Sequence, residues 1–547
     1  MSVPNDRQSF ELQPLLRPYH GAGGTWLQRH AKVVVACIAA LFCMFYGFYY
    51  ALTTPWLLVP FLVPLAILMM IVIWAAPETK TVPIRTLERL FFALFIGLIV
   101  WPNYLAISLP GLPWITVSRL IGTPLALLFL LSLSSNSEFR KKLGEILNAS
   151  PVFWKAFAIL LFLMVASLPV ATHVGASVSR LVVVQMTQTC TLLLSCYLFV
   201  RPGRARYAAF VLWGLALMVS AFALLEAPLH HTLWAGHIPS FLKIENEVVA
   251  RIVAGNIRNT TGQYRVQSVF STPLGLSEYL GLVSPFILYF AFSRTSKVWV
   301  RIASGATLGL LLLVILGTDS RFGLMVYFLA AMAYLLSWAL LKMRSERSLI
   351  GTAIVWAYPV IFALGVVASF VIGRVRAKVW GTGQYNDSTA ARVDQFNLAY
   401  PKMLTHPIGY GLANGAEAIG YHTPSGLLSV DSYYLALTME LGIFGLIAFL
   451  TMFIYLGLRA FMVILKSYDQ DGELSLILPA AISIAVFLVI KIVFAQEDNH
   501  PVIYVLAGMI VALLYRYDRR DALAASSPPA HDMSAVVARL PERMRVL

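Results

Sequence analysis

The sequence predicts an all-α fold, a polytopic transmembrane helical bundle of about 12–14 spans with a large, partly helical outer loop. The 547-residue chain is 59% hydrophobic and only 12% charged, whereas soluble domains carry roughly 25% charged residues. Its mean hydropathy is +0.76. Hydrophobic runs long enough to cross a bilayer as helices recur along the chain, and they lack the alternation of membrane strands.

The hydrophobic runs also set the predicted domain organisation. Fourteen of them are found, with an error of one or two, at 33–52, 55–76, 90–109, 119–134, 153–173, 181–200, 207–227, 273–293, 301–317, 322–341, 350–372, 433–465, 475–494 and 501–516. They group into an N-terminal transmembrane bundle (33–227), a middle set of spans (273–372) and a C-terminal set (433–516), with a polar cytoplasmic tail at 1–32 and a disordered cytoplasmic tail at 517–547. Two outer loops, 228–272 and 373–432, are too long to be simple turns and are therefore expected to be functional.

The net charge of +15 follows the membrane topology and needs no nucleic acid. If the N-terminus is cytoplasmic, the loops predicted to lie inside carry most of the basic residues, as in 140–142, 201–206 and 516–520. Short loops on the other side are nearly free of Lys and Arg, apart from Arg119 and Arg180 at their borders, and 496–500 is acidic. This asymmetry matches the positive-inside rule. Lys491, inside a predicted span, is interpreted as a snorkelling lysine.

Two arginines and a glutamate mark the outer ends of the middle spans. Arg265 lies just outside the run that begins at 273, and Glu278 lies about one turn inside it. An ionisable residue at membrane depth indicates either function or a buried pair, so the alternative for Glu278 is structural pairing with an arginine. Arg321 follows a short turn in which Thr318 or Asp319 is expected to cap the next helix. The helix dipole disfavours a cation there, which suggests an anionic partner for Arg321, the alternative being a snorkelling side chain.

The second long outer loop holds the remaining candidates. Arg392 lies in an amphipathic segment that runs into His406 and a Gly-x-Gly stretch, and His422 follows further on. Without a preceding strand, that stretch is no dinucleotide fingerprint. Asp431 stands where this loop enters a span, and its simplest interpretation is a helix N-cap. Its functional interpretation is a carboxylate held at an aqueous cavity, while Arg392 could equally be a solvated surface arginine.

These stretches, over roughly 255–450, resemble the O-antigen ligase and polysaccharide polymerase superfamily of bacterial inner-membrane glycosyltransferases. Ligases of that family carry an H-[NSQ]-x9-G-x-x-G pattern after the large periplasmic loop. Asp431, Ser432, Gly442 and Gly445 fit that pattern here, with aspartate in place of histidine. The resemblance implies that Arg265, Arg321 and Arg392 hold the diphosphate of a lipid-linked sugar. His406 or His422 is the alternative source of the missing imidazole.

The resemblance further implies what the protein acts on. The donor would be a glycan on undecaprenyl diphosphate, within membrane lipid, and the reaction would face the periplasm. The aspartate favours polymerisation of O-antigen or exopolysaccharide units over ligation to lipid A core. Catalysis would use Asp431 as base with Arg321 and Arg392, while Arg265, Glu278, His422 and His406 would bind diphosphate or sugar. No metal or cofactor is expected, because no D-x-D motif with acidic neighbours lies in the outer loops.

Other interpretations of the same sequence remain open. A lipid-linked sugar transporter, or flippase, would also have many spans and outer arginines, although transporters tend to show internal repeats that are not seen here. A non-catalytic scaffold subunit is a third interpretation. Partners in polysaccharide assembly, such as a flippase or a chain-length regulator, are expected, and nucleic acid is not.

Overall fold

The computed structural model describes residues 68, 78–79, 81–108, 114–244, 249–250, 253, 262, 264–293, 295–373, 376, 386–423, 426, 428–467 and 472–526. The predicted tail at 1–32 and the predicted spans at 33–52 and, apart from Leu68, 55–76 lie outside these residues. The chain divides into two compact units, 1–80 with 134–136, and 81–133 with 137–547. In the first, the Thr79 backbone N–H donates to the Ser135 carbonyl at 2.6 Å. All candidate site residues lie in the second.

Helices make up most of the described structure. They are α1 (Ile84–Val100), α2 (Val117–Ser135), α3 (Ser137–Asn148), α4 (Pro151–Ala166), α5 (Val174–Val184), α6 (Cys190–Leu198), α7 (Arg204–Leu229), α8 (Pro273–Phe292), α9 (Val298–Gly317), α10 (Arg321–Glu346), α11 (Leu349–Val371), α12 (Asn386–Thr405), α13 (Gly415–Ile419), α14 (Tyr433–Ser467), α15 (Ile477–Ile490) and α16 (His500–Ser526). Within the described residues, ten helices are long and apolar enough to cross a membrane, which confirms an all-α polytopic fold. Helices α12 and α13 make the large outer loop partly helical, and α16 continues past the predicted start of the C-terminal tail.

One predicted span is wrong at its end. The run 90–109 was expected to be helical throughout, but α1 stops at Val100 and Trp101 adopts an extended conformation. Pro102 follows Trp101, and a proline disfavours helical geometry in the residue before it. The chain then forms a short strand, β1 (Leu105–Ile107), which pairs antiparallel with β2 (Leu242–Ile244) from the first long outer loop.

Burial separates the central helices from the peripheral ones. In α8 and α16, 89% and 83% of the most hydrophobic stretch is buried inside the protein, against 6% in α11. A helix that is hydrophobic all round and buried belongs to the core of a bundle. Helices α8 and α16, which begin at Pro273 and His500, are therefore central.

Ion pairs at one end of the bundle involve Arg204 and Arg516, which the sequence predicts to be cytoplasmic, and Arg459, which lies within α14. Arg204 binds Glu88 at 2.9 Å, Arg516 binds Glu473 at 2.7 Å, and Arg459 binds Asp518 at 2.8 Å. Glu473 also accepts backbone N–H groups at the start of α7. An acceptor at a helix N-terminus satisfies donors that the helix itself leaves unpaired.

Candidate functional site

Arg392 and Asp431, predicted separately from the sequence, are in contact. The Arg392 Nε lies 3.4 Å from Asp431 Oδ2, and both side chains are about one-third exposed, at 38% and 32%. Gln395 lies one helical turn after Arg392, on the same face of α12, and its Oε1 accepts the Asp431 backbone N–H at 2.9 Å. Helix α12 thus holds Asp431 by its backbone and places a cation beside its carboxylate.

Burial changes the acid strength of Asp431. Partial removal from water raises the pKa of the Asp431 carboxyl above its ordinary value, and the nearby Arg392 guanidinium lowers it by a smaller amount. Burial disfavours the charged form of a carboxyl group, while an adjacent cation favours it. A carboxylate whose pKa is raised towards the working pH is a better general base than an ordinary aspartate.

Arg265 contacts the turn that leads into Arg321. Its Nε donates to the Thr318 carbonyl at 2.9 Å, and the neighbouring Val266 N–H donates to the Gly317 carbonyl at 3.2 Å. The expected cap, Thr318 or Asp319, is wrong: Ser320 is the N-cap, and its hydroxyl accepts the Gly323 N–H. Arg321 is therefore the first residue of α10, where the unpaired N–H groups and the helix dipole favour an anion.

A buried ion pair links α8 to the end of α15. Lys491 Nζ lies 2.8 Å from Glu278 Oε1, and neither side chain is exposed. The snorkelling interpretation of Lys491 is therefore wrong, and the buried partner of Glu278 is a lysine and not an arginine. Lys491 Nζ also donates to the Gln496 carbonyl. The carboxylate of Glu278 is buried together with the Lys491 ammonium group. Its predicted role in binding substrate stays a prediction.

The segment that follows Lys491 brings the candidate residues to one end of the bundle. The Lys491 carbonyl accepts the Tyr433 N–H at 3.1 Å, two residues after Asp431. The rings of Phe494 and Phe322 lie 5.7 Å apart, next to Arg321. We call this end, formed by 265–272, 317–323, 431–433 and 491–500, the site end.

A break in α14 holds the turn after α12 in place. Gly442, the first glycine of the G-x-x-G pattern, has φ +70° and ψ −178° within the helix. The interruption leaves the Met439 and Glu440 carbonyls to accept the N–H groups of Tyr410 and Gly411, at 2.7 and 3.0 Å. A Cβ atom at Gly442 would lie 1.8 Å from the Pro407 carbonyl oxygen, so only glycine fits.

The two loop histidines lie apart from the aspartate. His406 Nδ1 is within 2.8 Å of the Tyr410 hydroxyl, and His422 Nδ1 is 3.2 Å from the Gly420 carbonyl. Both rings are exposed, and among the described residues neither is bonded to Asp431. Asp431 thus has its cation beside it, while each imidazole has only local partners.

Sequence reasoning missed a second ion pair at the site end. Arg180 in α5 contacts Glu497 in the loop before α16, and Glu440 lies close enough to act electrostatically on both. The sequence did contain a signal for this pair. Arg180 departs from the positive-inside rule, and the loop 496–500, predicted on the same side of the membrane, is acidic. A basic and an acidic residue that both lie on that side are candidates for an ion pair.

No group of three metal-ligating side chains with suitable geometry occurs among the residues that the structure describes. The prediction that the protein works without a metal stays a prediction. What the site end offers is positive charge at 265 and 321 together with a carboxylate at 431.

A comparison with known protein families gives a match over part of the chain. Residues 306–450 match the protein family described as O-Antigen ligase. The matched region contains Arg321, Arg392, Asp431 and the glycines of the α14 break, and it excludes Arg265, Glu278 and Lys491. No curated protein matches the chain.

Proposed function

We propose that this chain, whose residues 306–450 match the O-antigen ligase family, transfers glycan from undecaprenyl diphosphate to a sugar acceptor at the periplasmic face. The observation that carries the proposal is the contact of Arg392 with Asp431 inside the matched domain. A carboxylate of raised pKa beside a fixed cation suits proton transfer next to an anionic leaving group.

The proposed reaction is a single displacement. The acceptor hydroxyl attacks the anomeric carbon, a new glycosidic C–O bond forms, and the bond between that carbon and the phosphate oxygen breaks. The proton of the hydroxyl passes to Asp431, and the electron pair of the broken bond remains on the diphosphate. One carboxylate suffices for this inverting transfer, because no covalent glycosyl intermediate is formed.

The arginines at the start of α10 and beside it would bind the leaving diphosphate. A guanidinium group keeps its charge at any physiological pH and matches two phosphate oxygens at once. Arg321 adds the N–H groups of a helix start, capped by Ser320, and Arg265 is anchored through Thr318 to the same turn. Charge that develops on the leaving oxygen in a poorly solvated site is stabilised strongly by such fixed groups.

Two sugar acceptors are possible for this transfer, a further repeat unit or lipid A core. The family description names ligation, whereas aspartate at 431, where ligases of the family carry histidine, favours polymerisation of O-antigen or exopolysaccharide units. We propose polymerisation as the primary activity and transfer to lipid A core as the alternative. Neither requires a metal.

The test is reconstitution of the purified full-length protein in lipid vesicles with undecaprenyl-diphosphate-linked repeat units, with and without lipid A core. Polymer ladders with donor alone indicate a polymerase. Product formed only when lipid A core is present indicates a ligase. Movement of intact donor across the bilayer without any new glycosidic bond would replace the proposal with transport.

A further inference from the structure

A small polar cavity at the site end is lined by residues that the reaction described above does not use. It has a volume of about 260 Å³ and is lined by residues from the end of α1, the turn before β1, the segment before α8 and the loop before α16, together with Val249 from the first long loop. These residues are Leu98, Ile99, Asn103, Tyr104, Val249, Val269, Phe270, Ser271 and Asp498. Drug-sized ligands occupy pockets of roughly 300–1,000 Å³. This cavity therefore suits one small polar ring and not a larger ligand.

The polar groups of the cavity have unused hydrogen-bonding capacity. The Asn103 amide is oriented by donation of Nδ2 to the Leu98 carbonyl at 2.8 Å. Its Oδ1 is buried and has no hydrogen-bond partner among the described residues. A buried acceptor without a partner costs free energy, which a bound donor would recover.

Tyr104 supplies a hydrogen-bond donor. Its hydroxyl oxygen accepts the Trp234 indole N–H at 3.0 Å, which leaves the phenolic proton available for donation. Burial raises the pKa of Tyr104, so the phenol keeps its proton at any physiological pH. Trp234 thus fixes the position of a neutral hydrogen-bond donor at the cavity wall.

Asp498 supplies a carboxyl acceptor, whose pKa burial raises above the ordinary aspartate value. Its Oδ2 accepts the Ser271 hydroxyl at 2.5 Å, and the Ser271 backbone N–H also donates to the carboxylate. A carboxylate has about four acceptor positions, so this side chain can accept from a ligand as well. Phe270 and Val269 add apolar surface beside these polar groups.

We propose that this cavity is a monosaccharide subsite, in which Asp498, Asn103 and Tyr104 bind the hydroxyl groups of one sugar residue. Each sugar hydroxyl both donates and accepts, and the cavity offers two acceptors and one donor. The apolar wall suits the C–H face of a pyranose ring. The inference rests on the proposed function, and it adds the sugar-recognition element of the same site.

One short chain segment runs from Arg265, which is proposed to bind the diphosphate, to the wall of the cavity. Residues 265–271 run from the contact of Arg265 with Thr318 to the contact of Ser271 with Asp498. Six residues span at most about 20 Å even when fully extended. Glu226 fixes the middle of this segment by accepting the N–H groups of Gln267 and Ser268, at 3.0 and 2.7 Å. The reach of a short oligosaccharide is enough to join the two.

The test uses the purified full-length protein in nanodiscs and two binding arms. One arm compares undecaprenyl diphosphate with the same lipid carrying a short oligosaccharide that ends in glucose, galactose, rhamnose or N-acetylglucosamine. The other arm measures free monosaccharides by saturation-transfer NMR. Variants are Asp498→Asn and Tyr104→Phe, with Asp518→Asn and Tyr327→Phe as matched controls that lie away from the cavity.

We expect at least one sugar-bearing lipid to bind more tightly than the bare lipid. Asp498→Asn and Tyr104→Phe should each weaken that binding about tenfold, the effect of one lost hydrogen bond to a charged or buried group. Binding of the bare lipid should be unchanged in both variants, and the controls should match the wild type. Loss of free-sugar binding with lipid binding intact would assign the cavity to the acceptor sugar instead of the donor.

Two results would overturn the subsite. One is wild-type affinity of both variants in both arms. The other is an equal loss of sugar-bearing and bare lipid, which would mean that the cavity residues support the fold or the lipid. If the wild type binds no undecaprenyl diphosphate, the proposed function fails, while the free-sugar arm still reports on the cavity. Variants that elute as monodisperse protein with unchanged thermal unfolding exclude misfolding as the cause.

Discussion

Lys491 and Glu278 form an ion pair, with Nζ and Oε1 2.8 Å apart, in which both side chains are completely buried. The pair joins the end of α15 to the first turns of α8, the helix with the most buried hydrophobic stretch among the candidate spans. The Lys491 carbonyl also accepts the Tyr433 N–H, close to Asp431. A single buried lysine thus fixes the relative positions of three helices that meet at the site end.

Removal of one partner of this pair should be more harmful than removal of both. Lys491→Met leaves an isolated buried carboxylate, and Glu278→Leu leaves an isolated ammonium group, each of which should cost about 3–5 kcal/mol of unfolding free energy. The double variant replaces a buried pair by apolar side chains and should regain most of that loss. Thermal unfolding in detergent measures all three. Additive effects in the double variant would show that the two residues do not stabilise each other.

Arg321→Ala should abolish product formation while the protein still inserts into the membrane. The reason is the loss of a fixed cation at the start of α10, where the proposed diphosphate would bind. Arg344→Ala, near the opposite end of the same helix, is the matched control and should keep wild-type activity. Polymer length and amount are read on gels after reconstitution. Normal polymer from Arg321→Ala would remove the arginine from the proposed mechanism.

The pH dependence of activity should report on Asp431. A general base works in its deprotonated form, so activity should rise with pH through the pKa of Asp431, which burial places above the ordinary aspartate value. The Arg392 guanidinium lowers this pKa, so Arg392→Gln should move the rising limb to higher pH. Asp394→Asn, an exposed residue on the same helix, should leave the profile unchanged. A limb that moves to lower pH would contradict the contact as described.

Asp431→Asn tests the identity of the base directly. The amide keeps the size of the side chain but cannot accept a proton, and loss of general-base catalysis typically costs about 10²–10⁴-fold in rate. His422→Ala should retain most activity, because the exposed ring has only a local contact with Gly420. Single-turnover rates with saturating donor provide the comparison. If Asp431→Asn is silent and His422→Ala is inactive, the imidazole is the base.

The sequence predicted the structural properties that depend on neighbouring residues and did not predict those that depend on contacts between distant ones. Continuous hydrophobic runs located the helices, since about 20 apolar residues suffice to indicate a span, and Pro102 explains why the helix predicted at 90–109 ends early, at Val100. The predicted topology puts Arg321, Arg392 and Asp431 on one side of the membrane, and the convergence of all three at one site stays a prediction. Partners distant in sequence were inaccessible, as with Lys491 for Glu278. The polar cavity around Asp498 combines residues from several distant chain segments and has no local signature.

Gly442, the first glycine of the G-x-x-G pattern, interrupts α14 in a conformation that only glycine fits. Gly442→Ala should force the Pro407 carbonyl away, since a Cβ atom would lie 1.8 Å from it, and a positive φ strains any residue with a side chain. The turn after α12 should then lose its bonds to the Met439 and Glu440 carbonyls. Hydrogen exchange at the Tyr410 and Gly411 amides should accelerate, and activity should fall because α12 also carries Arg392. Gly457→Ala, in the same helix with open space where the new methyl group would lie, should change neither; unchanged exchange in Gly442→Ala would mean that the turn is held by other contacts.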